Sequence, residues 1–309
     1  MTGMTIIKAI QINDSALIAS NVAEDDYPAF VIDRVPPYIL KERVIVVAAN
    51  VHKVFESLQD ANSGHDPMLD NQKSPVWWLE VSATNRWKML DEYISSQTEN
   101  VGTIEVELYA EPVIGALSIQ NMEASTLHLT MTAPVDGIVF EDTVDLVSDS
   151  GIDDYYEYWF SPVQRLTTYN FLELPLYSES SIKIELENGS GLVKCGAVVL
   201  GLPQDIGMTL YGLELSRTDY SSVATDDFGN TGVTKRGNTR NIAMTVRINN
   251  DELASVDKLL SEYLSVPAVY VGTDIYQEAT TLYGIYQDYS ITVQYVSESL
   301  VNIRLRGFI

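Results

Sequence analysis

Short runs of alternating apolar and polar residues make up most of the 309-residue chain. They are rich in Val, Ile, Thr and Tyr and are bounded by Gly, Pro, Asn or Asp, a pattern typical of β-strands. In residues 182–186 apolar positions alternate with Lys183 and Glu185, and the following Asn188-Gly189 predicts a hairpin turn. The predicted strands are 43–48, 103–108, 126–132, 181–187, 194–200, 241–248, 268–271, 290–295 and 301–307.

Helical periodicity is confined to two segments. In residues 251–265 apolar residues recur every three or four positions behind an acidic first turn, and Pro267 follows the end. In residues 85–95 Trp87, Leu90 and Ile94 share a face, and Asn85 is placed to cap the start. We therefore predict a mainly β, multidomain chain of antiparallel sandwich or jelly-roll units with one or two helices.

Breaks in the pattern suggest four parts. The Pro36-Pro37 pair closes an N-terminal segment, 1–36, and residues 82–84 end a small β domain, 37–82. A jelly-roll domain is expected over 83–203, and residues 203–207 are interpreted as a junction. An α+β domain follows over 204–309.

Composition narrows the classes of function. With 43 acidic against 19 basic side chains the net charge is -24, which makes free nucleic acid an unlikely partner because binding to phosphate rests on cationic contacts. No run approaches the roughly 20 apolar residues of a membrane-spanning helix, so membrane insertion is not expected. The lone Cys195 excludes an intrachain disulfide and any zinc site built on two cysteines. No cofactor is predicted.

The charge is concentrated in the first two thirds of the chain. Residues 206–309 hold 12 acidic and 8 basic side chains, against 31 and 11 in residues 1–205. We interpret four cations in the C-terminal third as a basic docking face, with a solvated loop as the alternative. They are Lys235, Arg236, Arg240 and Arg247.

Motifs of catalysis are missing from the sequence. It contains no G-x-S-x-G, phosphate-binding loop or H-E-x-x-H, and His52, His65 and His128 lie far apart, so we interpret them as surface or turn residues. Acidic runs at 149–154 and 225–230 offer oxygen ligands for calcium, but neither has EF-hand spacing and solvated loops are the simpler interpretation. The two catalytic carboxylates of a glycoside hydrolase follow no fixed sequence pattern, so this sequence neither shows nor excludes them.

Clustered aromatic residues are candidates for carbohydrate binding, because aromatic rings stack on sugar rings as well as on protein partners. They lie at Trp77-Trp78, at Trp87 and along 155–160. If 155–160 is a strand, its alternate rings are buried, either Tyr156, Tyr158 and Phe160 or Tyr155 and Trp159. The candidate glycan-binding residues are Trp77, Tyr155 and Trp159.

Residues 37–81 resemble the small chitin-binding-type module of chitinases and phage tail proteins. The resemblance rests on Tyr38, on K-E-R-V-I at 41–45, on H-K-V-F-E-S at 52–57, on N-S-G-H-D-P at 62–67 and on W-L-E-V at 78–81. Where that family carries tandem sugar-stacking aromatics this chain has Ser57-Leu58-Gln59. The resemblance implies that Trp78 is the core tryptophan and leaves Trp77 as the exposed ring.

Three further stretches resemble tail and baseplate proteins of tailed bacteriophages. They are T-N-R-W-K-M-L-D at 84–91, the closing strand V-K-C-G-A-V-V-L-G at 193–201, which is similar to galactose-binding-like domains, and segments of residues 219–272. The resemblance implies a non-enzymatic virion protein of the tail, assembled in the host cytoplasm. Other tail proteins, further copies of the chain and host-surface glycan are its expected partners. A dedicated receptor-binding lectin and a glycan-degrading enzyme are the alternatives.

Overall fold

The computed structural model describes residues 3–24, 26–70, 74–148, 154–160, 164–225 and 228–308. It is mainly β, as predicted, and its named strand pairs are antiparallel. In chain order the strands are β1 (Gly3–Lys8), β2 (Leu17–Ser20), β3 (Arg43–Ala48), β4 (Val51–Ser57), β5 (Trp78–Ala83), β6 (Thr98–Ala110), β7 (Ala116–Gln120), β8 (Thr126–Ala133), β9 (Gly137–Asp145), β10 (Val147–Ser148), β11 (Gln164–Arg165), β12 (Thr168–Phe171), β13 (Ser180–Cys195), β14 (Ala197–Gly201), β15 (Pro203–Thr209), β16 (Glu214–Asp219), β17 (Ser222–Thr225), β18 (Thr231–Thr234), β19 (Asn238–Asn249), β20 (Ala268–Val271), β21 (Thr281–Val293) and β22 (Glu298–Gly307).

The longest described helix lies where periodicity predicts it. The α-helices are α1 (Pro67–Asp70), α2 (Tyr155–Phe160), α3 (Leu253–Glu262) and α4 (Gln277–Thr280), with 3₁₀ turns at Asn250–Glu252 and Lys88–Leu90. The helix predicted over 85–95 is wrong beyond that short turn. Instead of capping a helix, the Asn85 side chain exchanges two hydrogen bonds with the backbone of Glu99, which keeps the segment against β6.

A β-sandwich forms the middle of the protein. The five-stranded sheet β2-β6-β13-β8-β9 and the three-stranded sheet β12-β7-β14 contribute to one apolar core, which includes Ile104, Leu117, Leu129 and Ile184. The alternation in residues 182–186 places Ile182, Ile184 and Leu186 inside, as predicted.

The hairpin turn predicted at Asn188-Gly189 is wrong. β13 continues through this point beside the same neighbour, β6, with an irregularity between Glu187 and Leu192. Both strands use a glycine in the left-handed region here, Gly189 at φ 56° and Gly102 at φ 85°, so they bulge together. An Asn-Gly pair favours a left-handed backbone conformation. That conformation occurs in bulges as well as in hairpin turns, so the pair alone does not distinguish them.

A closed barrel forms the second large unit. Six strands follow one another in a ring, β15-β1-β20-β21-β22-β19, and β19 pairs back to β15. One face of every strand contributes to a core that also takes Val256, Leu260 and Tyr263 from α3 and its end. β16 extends the barrel wall as a further strand on β19.

The structural units of the protein do not coincide with the four parts predicted from the sequence. β1, from the N-terminal segment, is a barrel strand, and residues 203–207 are not a junction but the start of β15, which pairs with β1. β2 is an edge strand of the sandwich. Since Ile7 pairs with Pro203, residues 9–202 are an insertion between two neighbouring barrel strands.

The small module consists of the sheet β3-β4-β5 over a core of aromatic rings. Trp78 is buried and its indole N–H donates to the His65 carbonyl at 2.9 Å, which agrees with its expected core position. Phe30, from the N-terminal segment, packs edge-on against Trp78 with ring centroids 5.7 Å apart. The chain before residue 37 is therefore part of this module's packing.

The barrel and the sandwich share an apolar interface. Ile7, Val269, Val271 and Tyr283 on the outside of the barrel pack with Ala116, Ala197 and Val199 of the three-stranded sheet. Beside them Asn170 of β12 donates to the Thr281 hydroxyl of β21 at 2.7 Å. The Ser118 hydroxyl donates to Asn170 at 2.6 Å, and all three side chains are buried. The insertion is therefore fixed to the barrel by packing and by a satisfied polar network.

Candidate functional surfaces

The aromatic run at 155–160 is a short helix and not a strand, so the alternate burial considered for a strand does not apply. Helical spacing pairs Tyr155 with Trp159 at 6.1 Å between ring centroids and Tyr156 with Phe160 at 4.6 Å. All four rings are exposed, from 61% for Trp159 to 77% for Tyr155. Four large rings at the surface form a patch suited to stacking on a ligand or packing on a partner.

Trp77, the other candidate glycan residue, is half-buried rather than exposed. Its ring lies on the His65 imidazole, with centroids 3.9 Å apart and planes 12° from parallel, and it packs against the core of the small module. One ring face is therefore covered by its own module. The glycan-binding role of Trp77 stays a prediction, and α2 offers the more open platform.

The T-N-R-W segment, residues 84–87, joins the small module to the sandwich. The Thr84 hydroxyl donates to Glu24 at 2.7 Å, and the amide of Asn85 donates to Asp26 at 2.6 Å. Arg86 donates through Nε to the Val22 carbonyl at 2.8 Å and lies 3.6 Å from the Glu24 carboxylate. These partners of residues 84–86 lie about 60 positions earlier in the chain.

His52 lies at the centre of this joint, which sequence reasoning missed. Its Nδ1 is 2.6 Å from Glu24 and its Nε2 is 2.7 Å from Asp14, while its ring stacks on Trp87 with centroids 4.2 Å apart. The Asn50 backbone amide and the His52 ring hold the pKa of Asp14 below its usual value. Because both acids are distant in sequence, only the fold brings this cluster together.

A cavity of about 1090 Å³ opens where the three units meet. Lys8, His52, Trp87, Asp91 and Tyr283 are among its lining residues. Desolvation by burial raises the pKa of Asp91 to about 6, although the Tyr93 amide and the Ser96 hydroxyl hydrogen-bond to the carboxylate. A carboxyl that exchanges a proton near neutral pH is therefore present in a cleft.

The four cations predicted to dock do not form one face. Lys235 and Arg236 follow β18 and are exposed. Arg240 donates to the Glu278 carbonyl, and burial lowers its pKa, while Arg247 lies 3.6 Å from Glu298. Seven residues along β19 separate these two arginines by about 23 Å. A docking role for Lys235 and Arg236, which are both exposed, stays a prediction.

No metal-binding site is indicated within the described ranges. They contain no group of three or more His, Cys, Asp or Glu side chains that could hold an ion. Asp149 to Asp153 and Asp226-Asp227, the centres of the calcium candidates, lie outside the described residues. Burial raises the pKa of the Cys195 thiol to about 12, so it acts as a core residue.

Comparison with protein-family models and with curated proteins returns no match. No protein-family model fits the sequence, and no curated protein has significant similarity to it. Across the described part of the chain, no helix has the length and apolar character needed to cross a bilayer. A function for the chain therefore has to be argued from its motifs and its surfaces.

Proposed function

We propose that this protein is a non-enzymatic structural component of a bacteriophage tail tip or baseplate, and that it contacts host-surface glycan through α2. Its partners would be other tail proteins and further copies of itself, in virions assembled in the host cytoplasm. The T-N-R-W joint carries the proposal. This segment resembles tail and baseplate proteins, and here Thr84, Arg86 and Trp87 each help to join the inserted units.

The distribution of surfaces supports the same function. The protein presents an exposed aromatic helix on the insertion and exposed strands on the barrel, and a fixed interface separates the two. A scaffold that meets tail neighbours on one side and a host surface on another needs this separation. Stacking a sugar on an exposed ring contributes on the order of 1 kcal/mol beyond the buried area, which suits repeated weak contacts.

Virions of the phage that encodes this chain provide the test. Immunogold labelling with antibodies against the purified protein should place gold at the tail end. Gold on the head, or protein recovered only from the particle-free lysate, would contradict the proposal. An antibody against a known head protein serves as the control for label position.

The enzyme alternative has one observation in its favour, the raised pKa of Asp91 in the junction cavity. A general acid in glycoside hydrolysis needs such a pKa and a second carboxylate at a defined separation. Release of reducing sugar from host glycan by the wild type, and its loss in Asp91→Asn, would favour this function over the structural one.

A further inference from the structure

The junction cavity, where the barrel, the sandwich and the small module meet, has the dimensions of a small-molecule site. Its volume is about 1090 Å³, at the upper end of the roughly 300–1000 Å³ of ligand pockets, which also favour positions between structural units. Every unit contributes apolar side chains to its wall, among them Ile10, Val81, Leu90, Val198 and Val266. A ligand with an organic body would remove these side chains from water.

Three side chains bring oxygen atoms together in this wall, Asp91, Glu92 and Tyr283. Desolvation by burial raises the pKa of Tyr283 to about 12, and the nearby charges of Glu92 and Asp91 act in the same direction. Tyr283 is 2% exposed, and no hydrogen bond engages its hydroxyl in the part of the chain that the structure describes. The wall therefore offers two carboxylates beside a hydroxyl that the fold leaves unpaired.

The protein supplies little compensating charge to these carboxylates. Desolvation by burial raises the pKa of Asp91 to about 6, and the repulsion from Glu92 exceeds the attraction of Lys88. Hydrogen bonds from the Tyr93 amide and the Ser96 hydroxyl only partly offset the effect of burial. A cation bound in the cavity would offset the remainder.

The basic side chains of the cavity wall have other partners. Lys53 Nζ lies 2.8 Å from the Glu80 carboxylate, and the Lys8 ammonium lies over the Tyr263 ring, 5.8 Å from its centroid. The His52 ring is held between two carboxylates at the joint of the small module. The charge that Asp91 and Glu92 lack therefore has to come from a ligand.

We propose that the junction cavity binds a small organic amine, with its ammonium group at Asp91, Glu92 and the Tyr283 hydroxyl and its body against the apolar wall. An ammonium group carries three N–H donors and no acceptor, which complements two carboxylates and a hydroxyl. A metal ion fits less well, because the described residues contain no group of three or more His, Cys, Asp or Glu that could hold one. The inference concerns purified protein and does not rest on the proposed tail function.

Calorimetric titration of the full-length protein with three matched compounds tests the site. Phenethylamine, phenethyl alcohol and phenylpropionate share an aromatic ring and differ in charge. At about pH 7 the amine should bind about tenfold or more tightly than the alcohol, and the carboxylate more weakly than either. With a pKa of about 6, Asp91 is about one tenth ionised at pH 5 and about nine tenths at pH 7. Affinity for the amine should therefore rise about tenfold between these values, while affinity for the alcohol stays constant.

Two conservative variants locate the site. Asp91→Asn should abolish the rise with pH and most of the preference for the amine over the alcohol. Tyr283→Phe should weaken binding of the amine severalfold and leave the rise with pH in place. Asp288→Asn is the matched control, because that side chain is 61% exposed and lies beside Arg304 on the barrel, and its binding should equal that of the wild type.

Several outcomes would overturn the proposal. They are equal binding of amine and alcohol, tighter binding of phenylpropionate, and no binding of any of the three compounds to the wild type. An Asp91→Asn protein that binds the amine as the wild type does would overturn it as well. Melting temperatures establish that each variant is folded. If Asp91→Asn is not, Tyr283→Phe decides, and unchanged binding of the amine by that variant would overturn the proposal.

Discussion

The His52 imidazole lies face to face with the Trp87 indole, with ring centroids 4.2 Å apart and planes 16° from parallel. This contact brings β4 of the small module against the segment that leads into the sandwich. Asp14 and Glu24 hold the two ring nitrogens, so four separate parts of the chain meet at one side chain.

His52→Ala should destabilise the small module by about 2 kcal/mol. The change removes a stacked pair and two charge-assisted hydrogen bonds and leaves two carboxylates facing each other. Thermal unfolding should show a transition at a lower temperature than in the wild type. His128→Ala is the matched control, because that ring lies on the outer sheet face, where Thr143, Thr130 and Glu141 are its neighbours among the described residues. Equal melting temperatures for the two variants would contradict a structural role for His52.

Asp91 should make stability depend on pH. Its folded-state pKa of about 6 lies above the ordinary 3.8, so the fold favours the protonated carboxyl. The stabilising contribution is complete below pH 3.8 and is lost as pH rises through about 6. Asp91→Asn should therefore gain stability relative to wild type between these values and hold a constant difference above them. A difference in melting temperature that does not change with pH would contradict this assignment.

Asn170 should be more important to stability than an exposed asparagine of the barrel. Asn170→Ala removes the acceptor of the buried Ser118 hydroxyl and the donor to the buried Thr281 hydroxyl and should cost about 2 kcal/mol. Asn302→Ala, on the outer barrel face, removes a hydrogen bond to Thr245 in contact with water and should cost little. Chemical denaturation measures both, and equal costs would show that the interface network contributes nothing.

Trp159→Ala and Tyr155→Ala should weaken adsorption to host cells while leaving the melting temperature unchanged, because both rings are exposed. Trp77→Ala should instead lower the melting temperature and leave adsorption unchanged, since its ring packs on His65 and the core of the module. If Trp77→Ala alone reduces adsorption in a folded protein, the glycan contact belongs to the small module.

The barrel should not fold from residues 206–309 alone. That fragment lacks β1 and the first residues of β15, so it opens the ring beside β20. Residues 1–8 joined by an Asn-Gly turn to residues 203–309 restore all six strands and should unfold cooperatively. Cooperative unfolding of the shorter fragment would contradict the insertion. Docking through the C-terminal third, expected from its four cations, is to be tested with the longer piece.

Local patterns in the sequence predict many of the strands and α3, because alternation and helical periodicity are set by which face is buried. The core position of Trp78 is expected from the resemblance of residues 37–81 to a small module, and the structure buries this ring. The joint at His52 and the pairing of β1 with β15 depend on residues far apart in the chain, so no local signal reveals them. The helix at 155–160 could not be predicted from periodicity. Its described rings are exposed, so no buried face sets a repeat of apolar positions.

A reconstruction of the assembled virion tests the central claim most directly. The account predicts density for this fold at the tail tip or baseplate, with the barrel against neighbouring subunits and α2 directed outward. Density for the fold elsewhere in the particle, or a tail tip fully explained by other chains, would contradict it.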